Sequence, residues 1–232
     1  MGVSRVMAAT PKSDLAIRTV SAAVLLGIAG TALYMGGTVF LFFVALVAFT
    51  VAIEWRNIVV RFPDSDVAKG IWMAIGGLYA AFGCAAVLLL HEGKLFIPVL
   101  GAVIGTDVGA YFAGRFIGGP KIAPAISPSK TWAGLFGGMA GATLMLLLVA
   151  WFDWKGTFVL PALVGLSFWA GPPIAIVAQA GDFFESWMKR RAGVKDSGNL
   201  LPGHGGMFDR VDGLLAASIA VFSVLVVIGK FG

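Results

Sequence analysis

Residues 181–212 read GDFFESWMKRRAGVKDSGNLLPGHGGMFDRVD and lie between two long apolar runs. Ten of the chain's 29 charged residues fall in this stretch: Asp182, Glu185, Lys189, Arg190, Arg191, Lys195, Asp196, Asp209, Arg210 and Asp212. Because charge is costly to bury beside a membrane, this concentration favours chemistry over packing. Carboxylates suit a hard divalent cation, and Lys and Arg suit phosphate oxygens. The stretch therefore predicts metal-assisted phosphate chemistry at a membrane surface.

The composition of the whole chain predicts an all-α, polytopic integral membrane protein. Hydrophobic residues make up 59% of the 232 residues, and only 12% are charged. Mean hydropathy is +0.92, which excludes an ordinary soluble domain. Runs of about 20 apolar residues, long enough to cross a bilayer core, recur along the chain. A transmembrane barrel would show short alternating segments instead. Cys84 is the sole cysteine, so no intramolecular disulfide forms.

About seven transmembrane helices are expected, at residues 16–35, 37–53, 71–90, 95–115, 132–151, 158–180 and 214–228. With a cytoplasmic N-terminus, only three of the 17 Lys and Arg lie outside: Lys94, Lys155 and Lys230. Basic residues favour the cytoplasmic side of a membrane, so this distribution fixes the orientation. It also explains the net charge of +5 without a nucleic-acid partner. In the fifth span, Gly137 and Gly141 form a GxxxG pair that predicts close helix packing.

A second polar segment, GRFIGGPKIAPAISPSKTWAG, occupies residues 114–134 and falls on the same predicted side. Ser127, Lys130 and Thr131 lie just before a helix start, where free N–H groups and the helix dipole favour anions. Alternatively, Ser129 or Thr131 caps the fifth helix. Inside the fourth span, Asp107 either forms a helix–helix hydrogen bond or faces a polar cavity open to the cytoplasm.

Spacing groups the polar residues of the central stretch. If the sixth helix continues past Ala180, one face carries four of them: Asp182, Glu185, Ser186 and Lys189. Glu185 and Lys189 could equally form a plain surface ion pair. Asp209 and Asp212 are three residues apart at the start of the seventh helix, where Asp212 alternatively serves as a cap or dipole partner.

The turn PGHGG places His204 and Gly205 in a rigid segment whose backbone amides can form an anion-binding nest. His204 could bind phosphate, act as an acid or base, or ligate a metal. A lone His without a second His or Cys nearby argues against zinc.

At these residues the chain resembles the phosphatidate cytidylyltransferases, also called CDP-diacylglycerol synthases. The family's signature occurs without a gap as Ser186, Lys189-Arg190, Lys195-Asp196, Pro202-Gly203, His204-Gly205-Gly206 and Asp209-Arg210-Val211-Asp212. Two further stretches agree, DVGAYFAGR at 107–115 and SPSKTWAG at 127–134. Ala133 stands where an acidic or amide residue is more familiar, and the chain is somewhat short for the family.

The resemblance implies a single transmembrane domain, 1–232, with N-terminal helices at 1–95 and a catalytic half at 96–232. It implies CMP transfer from CTP to phosphatidic acid, giving CDP-diacylglycerol and pyrophosphate, in a polar funnel that faces the cytoplasm. The expected setting is a bacterial inner membrane, with a homodimer as one arrangement. Mg²⁺ is the expected cofactor, with a second, monovalent cation as an addition.

The resemblance also implies roles for individual residues. The catalytic set is Asp182, Lys195, Asp196, Asp209 and Asp212, of which Asp182 and Asp209 hold the metal. The substrate-binding set is Ser127, Lys130, Thr131, Ser186, Lys189, Arg190, His204, Gly205 and Arg210. Two alternatives stay open: a CTP-dependent lipid-alcohol kinase, which would release CDP, and a transporter, which glycine-rich broken helices also suit.

Overall fold

The computed structural model describes residues 11–153, 160–198, 200 and 205–229. These residues form seven α-helices: α1 (Pro11–Met35), α2 (Gly37–Val59), α3 (Asp66–Glu92), α4 (Phe96–Phe116), α5 (Trp132–Asp153), α6 (Leu160–Arg191) and α7 (Phe208–Val227). Within the described ranges, β pairing is limited to an isolated antiparallel bridge between Lys121 and Thr131. The predicted all-α class is confirmed, and each expected span corresponds to one helix.

Five of the described helices are long and apolar enough to cross a membrane: α2, α3, α4, α5 and α7. In α1 the apolar segment is the shorter Thr19–Met35. Large apolar side chains such as Leu26, Phe42 and Leu78 are exposed on the outside of the bundle. An apolar exterior of this kind is typical of a surface that contacts lipid. The chain is thus an all-α membrane protein, and the count of seven spans stays a prediction.

Helices α4 and α5 touch through their backbones. A Cβ atom added at Gly109 would collide with the carbonyl oxygen of Gly137, and one at Gly141 would collide with that of Gly105. Only glycine allows this approach, because any side chain would separate the two helices. The close packing predicted from Gly137 and Gly141 is therefore confirmed.

A similar approach brings the polar ends of α6 and α7 together. A Cβ at Gly181 would lie 2.8 Å from the carbonyl oxygen of Asp212. On the other side, the hydroxyl of Tyr79 in α3 donates a hydrogen bond of 3.3 Å to that same oxygen. Helix α7 also packs against α2, so the N-terminal helices contact the C-terminal half. The boundary at residue 95 stays a prediction.

An aromatic cluster joins the ends of α2, α3 and α6. The Trp55 indole donates a 2.8 Å hydrogen bond to the carbonyl of Trp72, and both rings lie beside Phe184. At the rim, the Arg191 guanidinium binds Asp64 at 2.6 Å and lies over the rings of Phe62 and Trp187. These contacts hold the α2–α3 loop against the end of α6.

Candidate active site

The segment between α4 and α5 docks on the polar end of α6. The Lys130 ammonium forms an ion pair with Asp182 and lies 4.9 Å from the centre of the Phe183 ring. The Arg190 guanidinium donates a 3.4 Å hydrogen bond to the carbonyl of Ile126. The two polar segments that the sequence placed on one side of the membrane are therefore in contact.

Three carboxylates gather where these elements meet. One oxygen each from Asp182, Glu185 and Asp212 lies within 4.8 Å of the others. Asp182 is 38% exposed, so the group is reachable from outside the bundle, whereas Glu185 is only 1% exposed. We call these three residues the carboxylate cluster.

The cluster fits a hard divalent cation. Three carboxylate oxygens at this spacing are a ligand set that Mg²⁺ or Ca²⁺ accepts. The Oε1 atom of Glu185 is buried and has no hydrogen-bond partner among the described residues, although buried polar atoms normally have one. Glu185 lies beyond the expected end of the sixth span, and its burial raises its pKa to about 9. A bound cation would restore the charged form and use the free oxygen.

Asp209 lies next to the cluster and holds Ser197 and Gly206, two residues between α6 and α7, in place. Its Oδ1 is 2.5 Å from the ammonium of Lys189, which also binds Glu185 at 2.7 Å. Its Oδ2 accepts hydrogen bonds from the backbone N–H of Ser197 at 3.0 Å and of Gly206 at 2.9 Å. The geometry groups Glu185 and Asp212 with Asp182, so the predicted metal pair of Asp182 and Asp209 stays a prediction.

Sequence reasoning missed the role of Glu54. This residue, in α2, is 5% exposed and accepts hydrogen bonds from the backbone N–H groups of Met207 and Phe208 at 2.9 and 2.8 Å. The Ser197 hydroxyl lies 2.9 Å from Glu54 and 3.0 Å from Asp209, and its one hydrogen serves either carboxylate. Glu54 therefore anchors both the loop and the start of α7. An acid at the end of an apolar span was the available signal, but its partners lie more than 140 residues away.

Glu185 was placed on the correct helix face but left out of the predicted site. Its spacing from Asp182 was the signal, and a surface pair with Lys189 explained it equally well. The pair forms, but Glu185 is buried and Lys189 is half-buried, so it is not a plain surface pair.

The remaining predicted residues differ in position. The Thr131 hydroxyl accepts a 3.0 Å hydrogen bond from the N–H of Gly134, so Thr131 caps α5 as the alternative interpretation expected. Ser127 is half-buried in the docked segment. The Ser186 hydroxyl lies 3.5 Å from Asp182. Asp107 in α4 is exposed and lies within electrostatic range of Asp182 and Lys130.

Lys195 and Asp196, in the loop that follows α6, are exposed, and Arg210 is exposed in the first turn of α7. Gly205 has a φ of +78°, and a Cβ there would lie 2.9 Å from Asp209, so glycine is required. His204 lies outside the described residues.

The chain matches known proteins over the part that builds this site. Residues 68–228 match the model of the cytidylyltransferase family. The phosphatidate cytidylyltransferase of Brucella suis biovar 1 is 47% identical over 157 residues, which are 65% of this chain and 56% of that protein. The enzyme of that name from Pseudomonas aeruginosa is 36% identical over 195 residues, or 78% of this chain and 66% of that protein.

A third relative of the same name, from Mycobacterium bovis, is 35% identical over 162 residues, or 69% of this chain and 51% of that protein. The matches thus span about half to two thirds of the length of these relatives. Because the family model covers well over half of the chain, the protein belongs to the cytidylyltransferase family.

Proposed function

We propose that this protein transfers CMP from CTP to phosphatidic acid, giving CDP-diacylglycerol and pyrophosphate. The observation that carries the proposal is the carboxylate cluster with Lys130 and Lys189 bound to it, in a chain of this family. Relatives that carry the name phosphatidate cytidylyltransferase support the choice of substrates.

The reaction joins two anions. An oxygen of the lipid phosphate attacks the α-phosphorus of CTP, the bond from that phosphorus to the β-phosphate oxygen breaks, and pyrophosphate leaves with the electron pair. Positive charge and orientation are the main needs of such a site. A general base is hardly needed, because the lipid phosphate is already ionised at neutral pH.

The residues divide this work. Asp182, Glu185 and Asp212 would hold Mg²⁺, which when bound supplies positive charge to the nucleotide phosphates and the leaving pyrophosphate. Lys130 and Lys189 neutralise the carboxylates from either side. The other predicted phosphate ligands are Arg190, Lys195 and Arg210. A second, monovalent cation and a homodimer are also part of the proposal.

We place the site at the cytoplasmic face of a bacterial inner membrane, in a polar funnel of a seven-span protein with its N-terminus inside. The distribution of Lys and Arg supports this orientation. The five long apolar helices and the bacterial relatives support the compartment.

The proposal is tested with the full chain purified in detergent and supplied with CTP, phosphatidic acid and Mg²⁺. The expected products are CDP-diacylglycerol and pyrophosphate, with turnover lost in EDTA and in Asp182→Asn. Release of CDP, and not of pyrophosphate, when diacylglycerol replaces phosphatidic acid as the acceptor would instead identify a lipid-alcohol kinase. No turnover by folded protein with either lipid, with several acyl chains and divalent metals tried, would refute both activities.

A further inference from the structure

A cavity of about 540 Å³ lies outside the carboxylate cluster, between the C-terminal end of α2 and the loop that follows α6. Arg56, Asn57 and Arg61 form one wall, and Lys195 and Ser197 form the other. This volume is in the range of pockets that hold small molecules. The family match begins at residue 68, so the α2 wall lies outside it.

The pocket carries an excess of positive charge. Three cations line it, Arg56, Arg61 and Lys195, against one acidic residue, Asp196. Within the described ranges, the ion pairs engage Lys130, Lys189 and Arg191 but none of these three. Arginine and lysine brought together without carboxylate partners are typical of a site for phosphate oxygens.

The backbone of both walls is held by hydrogen bonds. Ser197 is held by Asp209, whose other oxygen binds Lys189 at the edge of the carboxylate cluster. Glu54 lies two residues before Arg56 on α2 and accepts the backbone N–H groups of Met207 and Phe208. The backbone that carries these exposed cations is therefore held in place, and the loop wall is connected to the candidate active site through Asp209.

We propose that this pocket binds a phosphate-bearing anion through Arg56, Arg61 and Lys195. Its assignment to the polyphosphate of CTP or to released pyrophosphate rests on the proposed function, because the loop wall adjoins the cluster where CTP would react. The headgroup of an anionic lipid offers the same chemistry from the membrane side. Binding of an anion in the pocket depends only on the cavity and its three cations, and not on the proposed activity.

The test measures binding, so it does not depend on turnover. In the first arm, the full chain in neutral detergent is titrated with pyrophosphate by calorimetry. We expect the double variant Arg56→Gln/Arg61→Gln to bind at least about tenfold more weakly, because two charge-assisted contacts are lost. Lys69→Gln removes a cation near the start of α3 outside the pocket, and should change the Kd less than about twofold.

The second arm places the same proteins in nanodiscs with and without phosphatidylglycerol and counts retained anionic lipid by native mass spectrometry. Loss of lipid only in the double variant would identify a headgroup as the phosphate source. Equal binding of pyrophosphate and of anionic lipid by wild type and the double variant would overturn the proposal. Should the double variant not fold, the single variants Arg56→Gln and Arg61→Gln replace it, each with about a threefold loss expected. If the double variant binds pyrophosphate more weakly and the wild-type protein shows no CTP turnover, the proposed activity is refuted while the anion-binding pocket is supported.

Discussion

Glu185 and Glu54 are both buried acidic residues, but their oxygens are satisfied differently. Both oxygens of Glu54 accept hydrogen bonds, two of them from backbone N–H groups. Glu185 binds Lys189 through Oε2, while its Oε1 faces no donor among the described residues. A buried oxygen without a donor is costly unless a ligand uses it. Glu54 is thus a structural carboxylate, and Glu185 is available to a cation.

Replacing Glu185 with Gln separates these roles. Glu185→Gln keeps the shape of the side chain but removes one of the three carboxylates that would hold the metal. Loss of a group next to a metal ligand costs about 10–100-fold in activity, so we expect the loss of a direct ligand to cost at least about 100-fold. The midpoint of thermal unfolding in metal-free buffer should stay about the same, because the raised pKa of Glu185 leaves it neutral at neutral pH, as Gln is. The measurements are CTP turnover over a Mg²⁺ titration and circular dichroism melts.

The matched control is Asp64→Asn, which removes an acid paired with Arg191 outside the cluster. Its activity should be unchanged and its stability lower by no more than about 1 kcal/mol. Unaltered turnover and Mg²⁺ dependence in Glu185→Gln would exclude Glu185 from the site.

At the scale of elements, two contacts position α7. Glu54 of α2 binds its first residue, and Gly181 of α6 packs against its backbone at Asp212. The first contact sets where Asp209 and Asp212 project, since both lie in the first two turns of α7. A change far from the carboxylate cluster can therefore alter the cluster.

Glu54→Gln tests the anchor of α7. An amide offers one acceptor where the carboxylate offers two, and turns its NH₂ toward an N–H donor, so we expect a loss of stability of at least about 2 kcal/mol. Thermal unfolding should report this loss, and turnover should fall with it as the loop at Ser197 loosens. Glu92→Gln, at the exposed end of α3, should change neither quantity. An unchanged unfolding midpoint in Glu54→Gln would contradict the anchoring role.

Gly141→Ala tests the backbone contact between α4 and α5. The added Cβ has no room against the carbonyl of Gly105, so we expect a destabilisation of about 1–3 kcal/mol. In α1, Gly30 has open space around it, and Gly30→Ala should instead stabilise its helix by up to about 1 kcal/mol. The opposite signs, measured by melts in one detergent, are the diagnostic result, and equal shifts would argue against the close packing.

At the scale of the whole molecule, local patterns predicted the helices, but contacts between distant residues could not be predicted. Apolar length sets each helix, because a span must satisfy its backbone internally. The glycine spacing in α5 predicted close packing for the same local reason. The ion pair of Lys130 with Asp182 is an example. The predicted membrane orientation placed their two segments on the same side but could not say which residues of the segments would pair.

The arrangement around Asp209 shows why the site was harder to predict than the fold. Asp209 and Asp212 are three residues apart, and the family resemblance assigned Asp209 to the metal. In the structure Asp209 turns to Lys189 and the backbone of Ser197, while Asp212 joins Asp182 and Glu185. The direction of each side chain is decided by the donors it meets in the folded chain. A signature names the residues of a site but does not divide their work.

Membrane orientation can be tested with two engineered cysteines at opposite ends of α3. In a Cys84→Ser background the chain has no other thiol, so Pro63→Cys and Glu92→Cys each report one side. Positive charge in the 54–70 segment and its scarcity after α3 predict that residue 63 is cytoplasmic and residue 92 is outside. An impermeant maleimide should therefore label Glu92→Cys in intact spheroplasts and Pro63→Cys only in inverted vesicles. Labelling of both from one side would show that α3 does not span, and the reversed pattern would put the carboxylate cluster on the outer face, where no CTP reaches it.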